Sequence, residues 1–140
     1  MTNWEEKIEA MAQEAMSEDV TSMAGVPTWT LVLIQHMLKK SNGKYKSLRD
    51  IWPNIELYLH GGVSFDPYRE QFNQLIPGEM NYIDCYNASE GYFAFQYDLT
   101  SKDLLLLLDY GIFFEFIPTE NLGEDHPKTH TLEEVEIGKN

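Results

Sequence analysis

Apolar residues Trp4, Ile8, Met11, Ala12, Ala15 and Met16 recur at helical spacing, with Glu and Lys between them. This pattern predicts an amphipathic helix ending near Asp19. Residues 20–26 break the period, and Gly25 lies among them. Pro27 then stands where a helix tolerates proline, because the first N–H of a helix has no internal partner to lose. Residues 29–38 are apolar almost all round, which predicts a helix that is buried or lines a pocket and stops by Gly43. Ile55, Leu57 and Leu59 alternate with Glu56, Tyr58 and His60, a strand running into Gly61-Gly62. Asp66 and Pro67 read as N-cap and first position of a helix whose apolar face is Tyr68, Phe72, Leu75 and Ile76. Pro77-Gly78 ends it, and residues 81–86 read as another strand. Strand, helix, strand at this spacing predicts a right-handed parallel crossover unit.

Past Gly91 the texture changes. Residues 92–98, 104–109 and 112–117 read as strands joined by short polar turns, expected to be antiparallel. Leu132, Val135 and Ile137 alternate along residues 131–137, and Gly138-Lys139-Asn140 has hairpin-turn chemistry. A strand with no returning partner reads as a sign of truncation, and its open edge leads to an expected homodimer or strand exchange. The fold class expected is α/β: a β-α-β crossover unit packed with N-terminal helices and followed by antiparallel strands. It forms one partial domain over 1–140, helical in 1–43, crossover in 54–91 and mostly β in 92–137.

Composition narrows the classes open to this chain. With 43% hydrophobic and 13% aromatic residues it is globular rather than disordered, and 140 residues suffice for one domain. No apolar run approaches the roughly 20 residues of a membrane-spanning helix, and Met1 opens a charged stretch unlike a secretory signal. The single Cys85 excludes an internal disulfide and fits a reducing compartment, so a cytoplasmic location is expected. Ten Lys and Arg against 23 acids, a net charge of −13, argue against a nucleic-acid partner. They also leave any bound phosphate to be neutralised by Mg²⁺ or by basic groups from elsewhere.

Candidate chemistry gathers at the two strand ends of the crossover unit, where ligands of open α/β sheets bind. The first end carries His60-Gly61-Gly62-Val63-Ser64, whose paired glycines let a flat ligand approach the backbone. The second carries Tyr86-Asn87-Ala88-Ser89-Glu90-Gly91. Tyr86 offers a ring for stacking, Ser89 a hydroxyl for a phosphate oxygen, and Glu90 a hard oxygen ligand for Mg²⁺. The same residues also read more plainly: Gly-Gly as a turn, Ser-Glu as the start of a loop, His60 as structural or solvent-facing, Cys85 as a small core residue.

At these residues the sequence resembles the Gretchen Hagen type acyl-acid amido synthetases, members of the adenylate-forming superfamily. That superfamily's second nucleotide motif is aromatic, small, any, Ser or Thr, Glu, small. Residues 86–91 match it except at Asn87, which is larger than the usual second residue. Further segments follow in the family's order: Gly25-Val26-Pro27-Thr28-Trp29, Trp52-Pro53-Asn54, residues 60–64 with Pro67-Tyr68-Arg69, and Asp109-Tyr110-Gly111 with Phe114-Glu115-Phe116-Ile117-Pro118. The resemblance implies ATP-dependent activation of an acyl acid as its adenylate, and transfer of the acyl group to an amino acid with release of AMP. It places Gly61, Gly62 and Val63 beside adenine, with Tyr86 stacked on it. Asn87, Ala88 and Ser89 would follow the nucleotide towards its α-phosphate. Ser89 and Glu90 would act in catalysis, with Glu90 holding Mg²⁺. Tyr92 and Trp29 would face the acyl substrate, although core packing is the plainer role for Trp29. It also implies that the phosphate loop and the ribose-binding Asp of the family lie outside this segment, so the chain by itself is expected to be inactive. The alternative is a small non-catalytic αβ module that binds a partner.

Overall fold

Asn3 caps α1 (Trp4–Ala15), its Oδ1 accepting the Glu5 N–H at 3.1 Å, and the described chain runs from this residue to Glu136 in a computed structural model. Ile8 and Ala12 form the buried face of α1, while Trp4 and Met11 are exposed. The helix ends at Ala15 rather than near Asp19. The Ser17 N–H and hydroxyl turn back onto the Glu14 carbonyl, and the Trp52 indole donates at 2.7 Å to the Ala15 carbonyl, which also accepts the Glu18 N–H. Helix α2 (Pro27–Lys40) buries Pro27, Leu31, Ile34 and Met37, a stripe at helical spacing. The all-round burial expected of α2 does not occur, because Trp29 and Val32 face solvent.

Five strands form one sheet in the order β1 (Ser22–Gly25), β2 (Leu57–Gly61), β3 (Asn81–Ala88), β4 (Gly91–Gln96) and β5 (Leu104–Leu106). β1, β2 and β3 run parallel, with Gly25 beside His60 and Gly61 beside Cys85. β4 and β5 continue the sheet antiparallel. The α/β class and the parallel β2-α3-β3 unit are therefore present, joined by a second parallel pair, β1 and β2, spanning α2. Helix α3 (Asp66–Leu75) begins one residue earlier than expected. Phe65 occupies the cap position, and the Asp66 carboxylate pairs with Lys102 at 2.7 Å instead of capping the helix.

The buried side of β2 is Tyr58 and His60, with Leu57 and Leu59 only half-buried. Tyr58 is packed against Phe72 of α3, with ring centroids 4.9 Å apart and planes 19° from parallel. Ile34, Met37, Leu48, Ile55 and Ile76 complete this core. Trp52, from the Trp52-Pro53-Asn54 segment, joins the same cluster.

Residues 3–106 form one compact unit and 107–136 a second. In the second, the strand expected over 112–117 is reduced to a single bridge, Phe116 with His130, closed by two backbone hydrogen bonds of 2.8 Å. The strand expected over 131–137 is a 3₁₀ turn at Leu132–Glu134. Thr131 and Glu134 cap one another across it, and this local pairing holds the segment as a turn. The edge from which a dimer was inferred is thus not a strand edge at 131–136. Residues 137–140, with the expected hairpin turn, lie outside the described residues. Among the described residues no helix is long and apolar enough to cross a membrane.

Candidate functional site

Three parallel strands deliver three segments to one end of the sheet: Val26-Pro27 after β1, Gly62-Val63-Ser64 after β2, and the Asn87 to Glu90 stretch at the far end of β3. The first segment is tied down by Tyr58, whose hydroxyl lies 2.8 Å from the Gly25 carbonyl and 3.0 Å from Thr30 Oγ1, with one proton to donate to either, while the Thr30 hydroxyl donates to the Val26 carbonyl. Burial pushes that hydroxyl up to about 12, so it remains a donor at any physiological pH. Sequence reasoning gave neither Val26 nor Tyr58 a place here. The strand β1 that brings Val26 in is four residues long, lies at the sheet edge, and shows no alternation.

The two glycines do different work. A Cβ on Gly61 would stand 2.2 Å from the Cys85 carbonyl oxygen and 3.3 Å from Asn87 Oδ1, so Gly61 is required by the close approach of β2 and β3 themselves. Gly62 has φ +78°, a conformation that glycine adopts without penalty, and its missing Cβ would only touch Val26 Cγ2 at 3.5 Å. Val63 is exposed beside them.

The segment expected to be a loop after β3 is a hairpin. β3 continues through Tyr86, Asn87 and Ala88, turns at Ser89 and Glu90, and returns as β4, with Ala88 opposite Gly91. Neither Ser89 nor Glu90 has positive φ, so this is not the type I′ turn common in two-residue hairpins. The register slips between Tyr86 and Asn87, leaving Phe93 as the extra residue of β4, and such bulges re-aim side chains beside functional sites. The Tyr86 ring is 57% exposed and leans on Phe93, with centroids 5.2 Å apart. Ser89 and Glu90 are exposed at the tip, and Tyr92 is half-buried opposite Asn87.

Trp29 turns its ring outward onto Trp4, with centroids 4.6 Å apart, and is 57% exposed. Core packing, the plainer role expected for it, is thereby overturned. Across the β2–β3 pair Gly61 lies against Cys85 and Asn87, while Trp29 packs on Trp4 at the start of α1.

A cleft of about 690 Å³ lies elsewhere, at the amino ends of the strands, lined by Thr21, Arg49, Glu56 and Asn81 among others. The Arg49 guanidinium there donates to the carbonyls of Pro77 and Glu79, so it is engaged in holding a loop, and the cleft carries none of the expected residues.

The GH3 family N-terminal domain matches residues 1–80, more than half of the chain. The chain belongs to the GH3 family. This is the Gretchen Hagen family of auxin-responsive acyl-acid amido synthetases, so the resemblance drawn from the ordered segments holds at family level. No curated protein matches the sequence.

The resemblance implies ATP with Mg²⁺, and the residue types at the strand ends suit such a ligand in chemistry. Tyr86 presents an open ring, Ser89 a hydroxyl and Glu90 an exposed carboxylate. No set of three or more His, Cys, Asp or Glu is arranged for a metal among the described residues. Glu90 would therefore be a single protein ligand, in keeping with the preference of Mg²⁺ for phosphate oxygens and water.

His60, given no role by the sequence, is the buried polar side chain of this region, 4% exposed. Burial lowers its pKa. Asp84 opposes that shift and Arg69 adds to it, so the imidazole is neutral at pH 7. The unfolded chain binds that proton near pH 6.5 and the folded chain does not, so stability is expected to fall as pH drops below about 6.5. The carboxylates with lowered values, Glu9 on Lys40 and Asp66 on Lys102, lose their contribution only at more acidic pH. Urea midpoints at pH 7.5 and 5.5 check this: the midpoint falls in the native chain and stays level in His60→Phe.

Proposed function

We propose that this chain supplies the adenine- and Mg²⁺-binding half of the active site of an ATP-dependent acyl-acid amido synthetase. The supporting observation is the register of β2 and β3, which pairs Gly61 with Cys85, so that Gly62-Val63 and the exposed Tyr86 each follow at the carboxyl ends of parallel strands. On this reading adenine lies along the backbone of Gly61, Gly62 and Val63 with Tyr86 across it. Asn87, Ala88 and Ser89 direct the nucleotide towards its α-phosphate. Ser89 donates to a phosphate oxygen and Glu90 holds Mg²⁺. Mg²⁺ offsets the phosphate charge, which a chain of net charge −13 does not neutralise by itself. Tyr92 and Trp29 would border the acyl acid, and an amino acid is the acceptor in the parent reaction. A cytoplasmic setting belongs to the same reading, supported by the buried, unpaired thiol of Cys85.

Calorimetric titration with AMP and Mg²⁺ tests it. Aromatic stacking on a base is worth about 1–3 kcal/mol, so Tyr86→Ala is expected to weaken AMP binding roughly 5- to 150-fold while leaving the urea midpoint unchanged. Glu90→Gln is expected to remove the Mg²⁺ dependence of binding. Equal AMP affinity in native chain and Tyr86→Ala would rule out the assigned site.

A further inference from the structure

His60 immediately precedes the loop 61–64, and Phe65 immediately follows it. Their rings stack with centroids 4.1 Å apart and planes 17° from parallel, so the pair pinches both ends of that loop together. Phe65 also begins α3, and the Arg69 guanidinium lies 4.9 Å over its ring. On its other neighbour strand, His60 is directly in register with Asp84, two residues before Tyr86. Its Nδ1 is buried with no hydrogen-bond partner, and the carboxylate oxygen Asp84 Oδ1 is 3.6 Å away, beyond hydrogen-bond reach. A buried ring nitrogen without a partner is costly, and here one partner stands a few tenths of an ångström out of range.

We propose that His60 is a proton-operated positioning residue: the neutral ring holds loop 61–64 closed on Phe65, and the protonated ring turns to Asp84 and releases the loop. The charged groups facing it are Asp84 from β3 and Arg69 from α3. Tyr58 on its own strand and Tyr82 on β3 are both kept protonated by burial. A proton on His60 gains the Asp84 carboxylate, while beside Phe65 it is repelled by the Arg69 cation that already lies over that ring. The two contacts compete for one ring, and the proton decides between them. The consequence for nucleotide binding rests on the function proposed above; the consequence for the loop does not.

The test follows the backbone amides of residues 61–64 by NMR between pH 8 and 5, together with the His60 ring. The expected result is that these amides shift with the midpoint of the His60 ring. In His60→Phe, which keeps a ring on Phe65, the shift disappears. Asp84→Asn, a second variant with the histidine intact, moves the midpoint to lower pH. Amides that stay still through the His60 titration, or that titrate alike in His60→Phe, overturn the proposal. AMP affinity measured over the same range is expected to fall by up to about tenfold per pH unit below the midpoint, and to stay level in His60→Phe. Absence of AMP binding at every pH would sink the nucleotide reading, and the amide titration would still decide the role of His60.

Discussion

Phe72→Ala is expected to lower the unfolding free energy by about 3–5 kcal/mol, the largest effect of any single side-chain truncation considered. The ring is fully buried and is the one buried residue of α3. It packs on Tyr58 at 4.9 Å, on Phe65 at 5.2 Å and edge-on to Tyr82 at 6.3 Å. Those neighbours are anchored to the sheet or to the start of α3, so they cannot collapse into the space left behind. A domain has only about 5–15 kcal/mol in hand, so the variant is expected to be partly unfolded at 37 °C. The urea midpoint should fall with little change in m-value. A loss below about 1 kcal/mol would mean that α3 is not held to the sheet by this ring.

Gly61→Ala comes next in size, because the added methyl has nowhere to go. Its Cβ would be 2.2 Å from a backbone oxygen of the neighbouring strand, and a carbonyl in a ladder cannot rotate away as a side chain can. The cost is expected at the upper end of the overpacking range, about 3 kcal/mol, with the β2–β3 pairing spread at the site. Gly62→Ala provides the contrast. Its Cβ meets only Val26 Cγ2 at 3.5 Å, so the cost is the positive φ alone, about 1–2 kcal/mol. Denaturant titration of both variants, with amide exchange of Cys85 and Tyr86 as a local readout, separates the two cases. Equal costs would contradict the assignment of Gly61 to strand packing.

Much of the fold was legible because period and chemistry agreed. The helical face of Phe72 and the alternation of residues 55–60 both specify their elements, and the spacing between them excludes a hairpin. The side of β2 that is buried was harder to read, since Tyr58 and His60 look more polar than Leu57 and Leu59 yet face the helices. β1 was invisible because a four-residue edge strand needs no alternation. Residues 131–137 show two signals at once, apolar alternation and a Thr131–Glu134 capping pair. Among the described residues no strand pairs with this stretch, and the local pair prevails. The strand was expected to stop at Tyr86, whereas pairing with β4 carries Asn87 and Ala88 as strand. Residue types at the candidate site were legible; the closeness of His60 to Asp84 was not, because it depends on the register between β2 and β3.

The most direct test of the central claim is an amide shift map of the labelled chain on addition of AMP and Mg²⁺. The account predicts responses at Gly61, Gly62 and Val63 and at Tyr86, Asn87, Ala88 and Ser89. Silence at both segments, or a response confined to the cleft beside Arg49 at the opposite end of the sheet, would contradict it.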